Sequence, residues 1–296
     1  MNSLRQRPGP GWLAAVGLLT AAAIWASVGA VSPTLPGRLP LGAAPRVVPT
    51  ITSASTPTIT SASTPTITTA PGPATVVAIG DSVTSAEVCW CTGFVESYAA
   101  HLPAAAGGPA HAVNLGTDGL TAAGLRTLIT KPGPTATSVA EGDILLVTIG
   151  ANDLTPLLSS WQTSGCSESC YSPAVDAVGS DVSAILAAAK ELRGHRSTRV
   201  LVTGYWNVFA DGDVARDSDG PAYLRWSDEI TRAFNDRICT AARNAGATCV
   251  DLYAPFKGDG SLNPTAWLAA DGDHPNAAGN QLISSALLEA TSLPSR

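Results

Sequence analysis

The chain has 296 residues, enough for one large or two small domains, and its 22 prolines are uneven: 11 of them, with only four charges, all arginine, lie in the first 73 positions. The rest of the chain holds 13 basic side chains against all 23 acids, a balance near −10 that repels phosphate backbones and argues against nucleic acid as a partner. Nothing repeats over the acidic part, which excludes a solenoid, a collagen-like rod and a coiled coil.

Arg5 and Arg7 precede an uncharged run from Trp12 to Val31, long enough to cross a bilayer as a helix of about 20 residues. Residues 1–31 are therefore read as an export signal. Val28-Gly29-Ala30 offers a cleavage site, yet the run exceeds the usual cleaved core of about 7 to 15 residues, so a removed signal peptide and a retained membrane anchor stand level. Residues 32–73 are Pro, Thr, Ser and Ala, with the unit Thr-Ile-Thr-Ser-Ala-Ser-Thr-Pro at 50–57 repeated at 58–65. Such a segment cannot bury a core and reads as a disordered linker or stalk.

From residue 74 to 296 the pattern is that of one domain. Short branched apolar runs predict strands at 75–79, 112–115, 144–149, 199–203 and 248–252. Longer amphipathic stretches predict helices at 93–101, 121–129, 173–192, 223–244 and 276–290, with Pro173 in a first turn and Gly246 as a stop. Strand and helix alternate five times, which predicts a parallel sheet with helices on both faces, a three-layer α/β/α fold. Cys89, Cys91, Cys166, Cys170, Cys239 and Cys249 form an even set behind an export signal, which points to disulfides and an oxidising compartment. Proximity favours 166 with 170 and 239 with 249, leaving 89 with 91; a crossed pairing of the first four stays open. Structural zinc is disfavoured, because the spacings are not those of zinc sites.

In parallel sheets ligands bind beyond the carboxyl ends of the strands. There the sequence places Gly80-Asp81-Ser82, Gly116-Thr117-Asp118-Gly119, Gly150-Ala151-Asn152-Asp153, Gly204-Tyr205-Trp206-Asn207 and a last loop ending Asp271-Gly272-Asp273-His274. Ester hydrolysis needs a nucleophile, a base, a group that orients the base and donors for the oxyanion. Ser82 is a candidate nucleophile, although Asp81 or Ser82 as a mere helix cap is the simpler reading of the triplet alone. His274 stands apart from His101, His111 and His195, which read as solvated loop residues. A carboxylate three residues upstream in a turn can reach the imidazole Nδ1, which places Asp271 ahead of Asp273 as its partner. Asp211, Asp213, Asp217 and Asp219 crowd one loop without the calcium-loop order and read as solvated.

Taken together, Gly80-Asp81-Ser82, Asn114 with Gly119 and Thr121, Gly150-x-Asn152-Asp153 and Asp271-x-x-His274-Pro275 resemble, in order, the four signature blocks of the SGNH (GDSL-type) hydrolases over about residues 74 to 290. The paired cysteines and acidic body are also similar to secreted actinobacterial lipases and esterases of that family. The resemblance implies a flavodoxin-like fold with a five-stranded parallel sheet. It makes Ser82 the nucleophile, His274 the base and Asp271 its orienting partner. Ser82 N–H, Gly119 N–H and the Asn152 amide become the oxyanion hole, and Asp153 a tie between loops. It implies no metal or cofactor. Val83 replaces the frequent Leu, and the Cys89–Cys91 insertion puts Trp90 in position to line the pocket.

The expected function is a secreted or surface-tethered serine esterase or lipase acting through an acyl-serine, monomeric, with an ester as its partner and membrane contact only through an uncleaved leader. An acetylesterase or acyltransferase on cell-envelope carbohydrate is the alternative within the enzyme class. A catalytically inactive wall-binding protein is the alternative outside it.

Overall fold

The computed structural model describes residues 72–103, 108–196 and 198–292. The leader reading of 1–31 and, apart from Gly72 and Pro73, the linker reading of 32–73 lie outside the described residues.

In chain order the elements are β1 (Thr75–Gly80), α1 (Ser82–Ser85), a 3₁₀ turn (Glu87–Cys89), α2 (Phe94–His101), β2 (His111–Gly116), α3 (Ala122–Thr130), α4 (Pro134–Glu141), β3 (Ile144–Thr148), α5 (Ala151–Leu154), α6 (Pro156–Ser164), α7 (Glu168–Arg193), β4 (Arg199–Thr203), α8 (Gly212–Ser218), α9 (Gly220–Asn244), β5 (Thr248–Val250), α10 (Tyr253–Lys257), a second 3₁₀ turn (Pro264–Trp267) and α11 (Ala277–Ser292). The strands are all parallel in the order β2-β1-β3-β4-β5, with Val77 between Val113 and Leu145. The chain runs from β1 out to β2 at one edge, then crosses back to β3 on the other side of β1 and continues to β4 and β5, so the direction of winding switches between β1 and β3. That is where such sheets open a crevice for ligand.

Burial on both faces explains the strand sequences. Val76, Val77, Ala78, Ile79, Leu145, Leu146, Val147, Leu201 and Val202 are at most 1% exposed. Each buried aliphatic side chain of this size contributes about 1.5–3 kcal/mol, which outweighs any local preference. Helix α2 packs with α11, while α3, α4 and α9 pack with the long α7. The result is the expected three-layer α/β/α architecture.

Several boundaries differ from expectation. Helix α7 begins at Glu168, so Pro173 lies inside the helix rather than in its first turn. The extra turn is held by the paired sulfurs of Cys166 and Cys170, by Trp226 Nε1 donating to the Cys166 carbonyl at 2.8 Å and by buried Tyr171. His101 closes α2 and His111 opens β2, both exposed, so neither is a loop residue. The cysteines lie in the three sequential pairs 89–91, 166–170 and 239–249. Of the four aspartates expected in a solvated loop, Asp213, Asp217 and Asp219 are exposed, but the segment is mostly helix and Asp211 is not solvated. Asp211 is buried as the N-cap of α8, which continues through Asp213 and Asp217, and Asp219 joins α8 to α9.

Candidate active site

The end of β1 delivers Ser82 to the crevice. Gly80 is required there by close packing, since a Cβ would collide with the Thr148 carbonyl and Thr84 Oγ1. Asp81 N–H donates to Thr148 O at 3.1 Å, and its carboxylate caps α1 by accepting from Val83 N at 3.1 Å. Ser82 is thus the first residue of α1, where backbone N–H groups lack helical partners. Capping and presentation of the serine are both true of this triplet.

Asp81 itself is 1% exposed and accepts a short hydrogen bond from the Tyr205 hydroxyl. Burial pushes its carboxyl up to about 7 against the opposing effects of Tyr205 and Val83 N–H. Asn114 ties β2 to this corner: Nδ2 donates to the Thr84 carbonyl at 2.9 Å while Oδ1 accepts from Gly116 N at 3.0 Å.

The last loop delivers the other two groups. Asp271 Oδ1 accepts from the backbone N–H of Asp273 and His274, at 2.9 and 3.1 Å, and Oδ2 lies 2.7 Å from His274 Nδ1. His274 Nε2 lies 2.8 Å from Ser82 Oγ. Burial tends to raise the Asp271 carboxyl, but the Asp273 N–H and the donors of His274 outweigh it and hold it below its ordinary value. Asp271 is therefore ionised at neutral pH, which keeps the proton on Nδ1 and leaves Nε2 to accept from the serine hydroxyl. Asp273 turns to the pocket instead, and burial raises its carboxyl.

Asn152 and Asp153 open α5 after β3. Asn152 Nδ2 spends one hydrogen on the Leu120 carbonyl at 3.0 Å, and Asp153 Oδ2 accepts from Ala122 N at 2.8 Å. Together they lock the loop after β2. Gly119, with φ 71°, sits in that loop one residue before Leu120. Neither Ser82 N–H nor Gly119 N–H has an acceptor among the described residues. Ser82, His274, Asp271 and Asn152 line one pocket of about 440 Å³, and Gly119 lies outside its lining.

The rest of the wall mixes aromatic, aliphatic, neutral polar and acidic side chains. Trp206, Phe209, Tyr223 and Leu158 line it with Asp219 and Asp273. Phe209 stacks on Trp226 at 5.1 Å, Trp226 on Trp161 at 5.4 Å, and Tyr223 meets Trp161 edge-on, so two pocket rings are braced from behind. Tyr205-Trp206-Asn207 is visible in the sequence as a strand-end segment. Leu158 and Tyr223 come from helices and carry no local signal. Trp90 does not line the pocket: with φ 51° beside the Cys89–Cys91 pairing it is 96% exposed.

A three-layer α/β/α fold with a serine, histidine and aspartate in hydrogen-bonded series at its switch point defines a serine hydrolase. The chain belongs to the GDSL-like lipase/acylhydrolase family, whose profile matches residues 78–282, and it is a carboxylic ester hydrolase. Among solved structures it is similar to the lipase Lip_vut3 from a goat rumen metagenome, with 19% identity and a TM-score of 0.59 over 73% of this chain and 97% of that one. A variant of an acetyl-xylooligosaccharide esterase from Geobacillus stearothermophilus matches with 19% identity and a TM-score of 0.52, over 75% of this chain and 96% of that one. No curated protein sequence matches significantly.

Proposed function

We propose that the chain hydrolyses short-chain acyl esters of polar alcohols through an acyl-serine on Ser82. The observation that carries this reading is the run from Asp271 Oδ2 through His274 to Ser82 Oγ, with separations of 2.7 and 2.8 Å. Ser82 Oγ attacks the ester carbonyl carbon as its proton passes to His274 Nε2, and Asp271 stabilises the imidazolium. The carbonyl oxygen becomes an oxyanion facing Ser82 N–H, Gly119 N–H and the second Asn152 amide hydrogen, each worth roughly 3–4 kcal/mol. Collapse breaks the bond to the alcohol oxygen, which takes the proton from Nε2. Water then repeats the sequence on the acyl-serine and releases the acid.

The short acyl group and polar alcohol follow from the lining. A long alkyl chain would strip water from Asp219 and Asp273 without replacing it, whereas hydroxyl groups can donate to them. The likeness to an acetyl-xylooligosaccharide esterase is in keeping with an acetylated glycan, and a wall polymer is the candidate substrate that a tethered enzyme would meet. We read the enzyme as exported, on the strength of the leader-like run and the paired cysteines, and as a monomer.

Ser82→Ala is expected to abolish hydrolysis of a p-nitrophenyl ester while the circular dichroism spectrum is kept; retained activity rejects the assignment. A series from acetyl to palmitoyl esters beside an acetylated polysaccharide separates the substrate readings. Activity that peaks on long chains overturns the short-acyl proposal. Stoichiometric labelling of Ser82 by a fluorophosphonate excludes an inert binding protein.

A further inference from the structure

Lys257 is an ionic centre that the ester chemistry leaves unused. It ends α10 with 5% exposure, and its ammonium donates to Asp211 Oδ2 at 2.7 Å and meets Asp228 Oδ1 at 2.9 Å. Asp228, on α9, also accepts from Arg232 Nε at 2.9 Å and from the Tyr253 hydroxyl, which in turn accepts from Arg232 at 2.6 Å. A buried ion pair gains little over an apolar filling, because desolvation consumes most of the attraction. Stability alone is thus a poor account of this one, and its geometry supplies a better one.

Asp211 is the junction. Its carboxylate takes Lys257, Asn207 Nδ2 at 2.9 Å and Gly212 N at 2.7 Å, while its backbone N–H donates to the Gly272 carbonyl at 2.7 Å. Two residues on, Asp213 N donates to Thr265 Oγ1 and Asp213 Oδ1 accepts from Asn263, both at 2.7 Å. Gly272 has φ 72°, and a Cβ there would press on Val214 and on the Asp211 carbonyl. Residues 211–214 are therefore the seat of the loop that carries Asp271 and His274. Lys257 holds that seat from below.

We propose that Lys257 is a positioning residue for the reaction: through Asp211 it fixes the seat of the acid–base loop and so keeps His274 Nε2 within reach of Ser82 Oγ. This rests on the reading of Ser82, His274 and Asp271 given above. The groups that face Lys257 are Asp211 from the loop after β4, Asp228 and, through Tyr253, Arg232 from α9, and Tyr253 from α10 itself. If the seat shifts, Asp271 and His274 move as one turn, because Asp271 Oδ1 holds the backbone N–H of Asp273 and His274, and His274 Nε2 parts from Ser82 Oγ. The serine hydroxyl then loses its proton acceptor, and attack on the ester slows.

The test compares Lys257→Met, Asp211→Ala and Asp228→Asn in the full chain, at a temperature where all remain folded, on p-nitrophenyl acetate. Asp211→Ala severs the link to Lys257, together with those to Asn207 Nδ2 and Gly212 N, but keeps the backbone N–H to Gly272; if Lys257→Met does not fold, Lys257→Gln, which keeps a neutral donor facing Asp211, takes its place beside Asp211→Ala. Both are expected to lower kcat by about 10²-fold, the cost of misplacing a reacting group by about 1 Å. They should leave KM little changed and slow fluorophosphonate labelling of Ser82 by the same factor. Asp228→Asn leaves the Lys257–Asp211 contact in place and is expected to lower Tm with kcat and the labelling rate unchanged. Loss of Tm alone in Lys257→Met or Asp211→Ala, or equal kinetic damage in all three variants, overturns the proposal. Ser82→Ala as a control separates this outcome from failure of the site itself: activity in that variant rejects the triad whatever Lys257 does.

Discussion

At the scale of single residues the site divides its carboxylates by environment. Asp271 sits among donors and stays ionised; Asp81 sits among buried apolar groups with one phenol and holds its proton to about pH 7. Because the folded state keeps the Asp81 proton longer than the unfolded chain does, this group makes stability fall as pH rises from about 4, its unfolded value, toward 7. Asp81→Asn is expected to remove that part of the decline, so the urea midpoint of the variant should gain on the parent between pH 5 and pH 8; parallel curves would contradict the assignment. Asp271→Asn should lower kcat by up to about 10⁴-fold, since the amide favours the wrong imidazole tautomer. Asp273 lines the pocket as a carboxylate, so Asp273→Asn is expected to improve kcat/KM for a monosuccinyl ester more than for a neutral acetyl ester. Equal changes on both substrates would show that its charge does not act on the substrate.

Among the elements, legibility followed burial and length. The central strands β1, β3 and β4 could be read from sequence because cover on both faces makes them continuous branched apolar runs, while the half-buried edges β2 and β5 showed only as short apolar stretches. The candidate catalytic positions could be named because they follow strands. Helices α1, α5, α8 and α10 are too short to show a 3.6-residue period, and they hold Ser82, Asn152 and Lys257. The start of α7 was hidden by Pro173, whose usual place in a first turn masked a helix that a local cysteine pair extends. Neither Leu158 nor Tyr223 was legible as pocket lining, since only tertiary packing brings α6 and α9 to the crevice. Cys239 and Cys249 join α9 to β5, an edge strand of three residues. Replacing both with alanine is expected to cost about 2–3 kcal/mol by loop-closure entropy, read as a lower urea midpoint. No change would mean that β5 is held by packing alone.

On the scale of the whole molecule, the acidic balance and the pocket carboxylates act in the same direction. An anionic ester is repelled twice, once on approach and once inside the crevice, so its kcat/KM is expected to rise with ionic strength while that of a neutral ester stays flat. The charge excess is legible in composition; its coincidence with the lining of the crevice is not, because Asp219 and Asp273 reach it from different loops. The sheet order also determines how the site is put together. Ser82 follows the first strand, and its base lies 192 residues further on. During synthesis from the N-terminus, Ser82 emerges long before His274. On the mechanism proposed above, any chain interrupted before residue 274 therefore carries the serine without the histidine that would activate it.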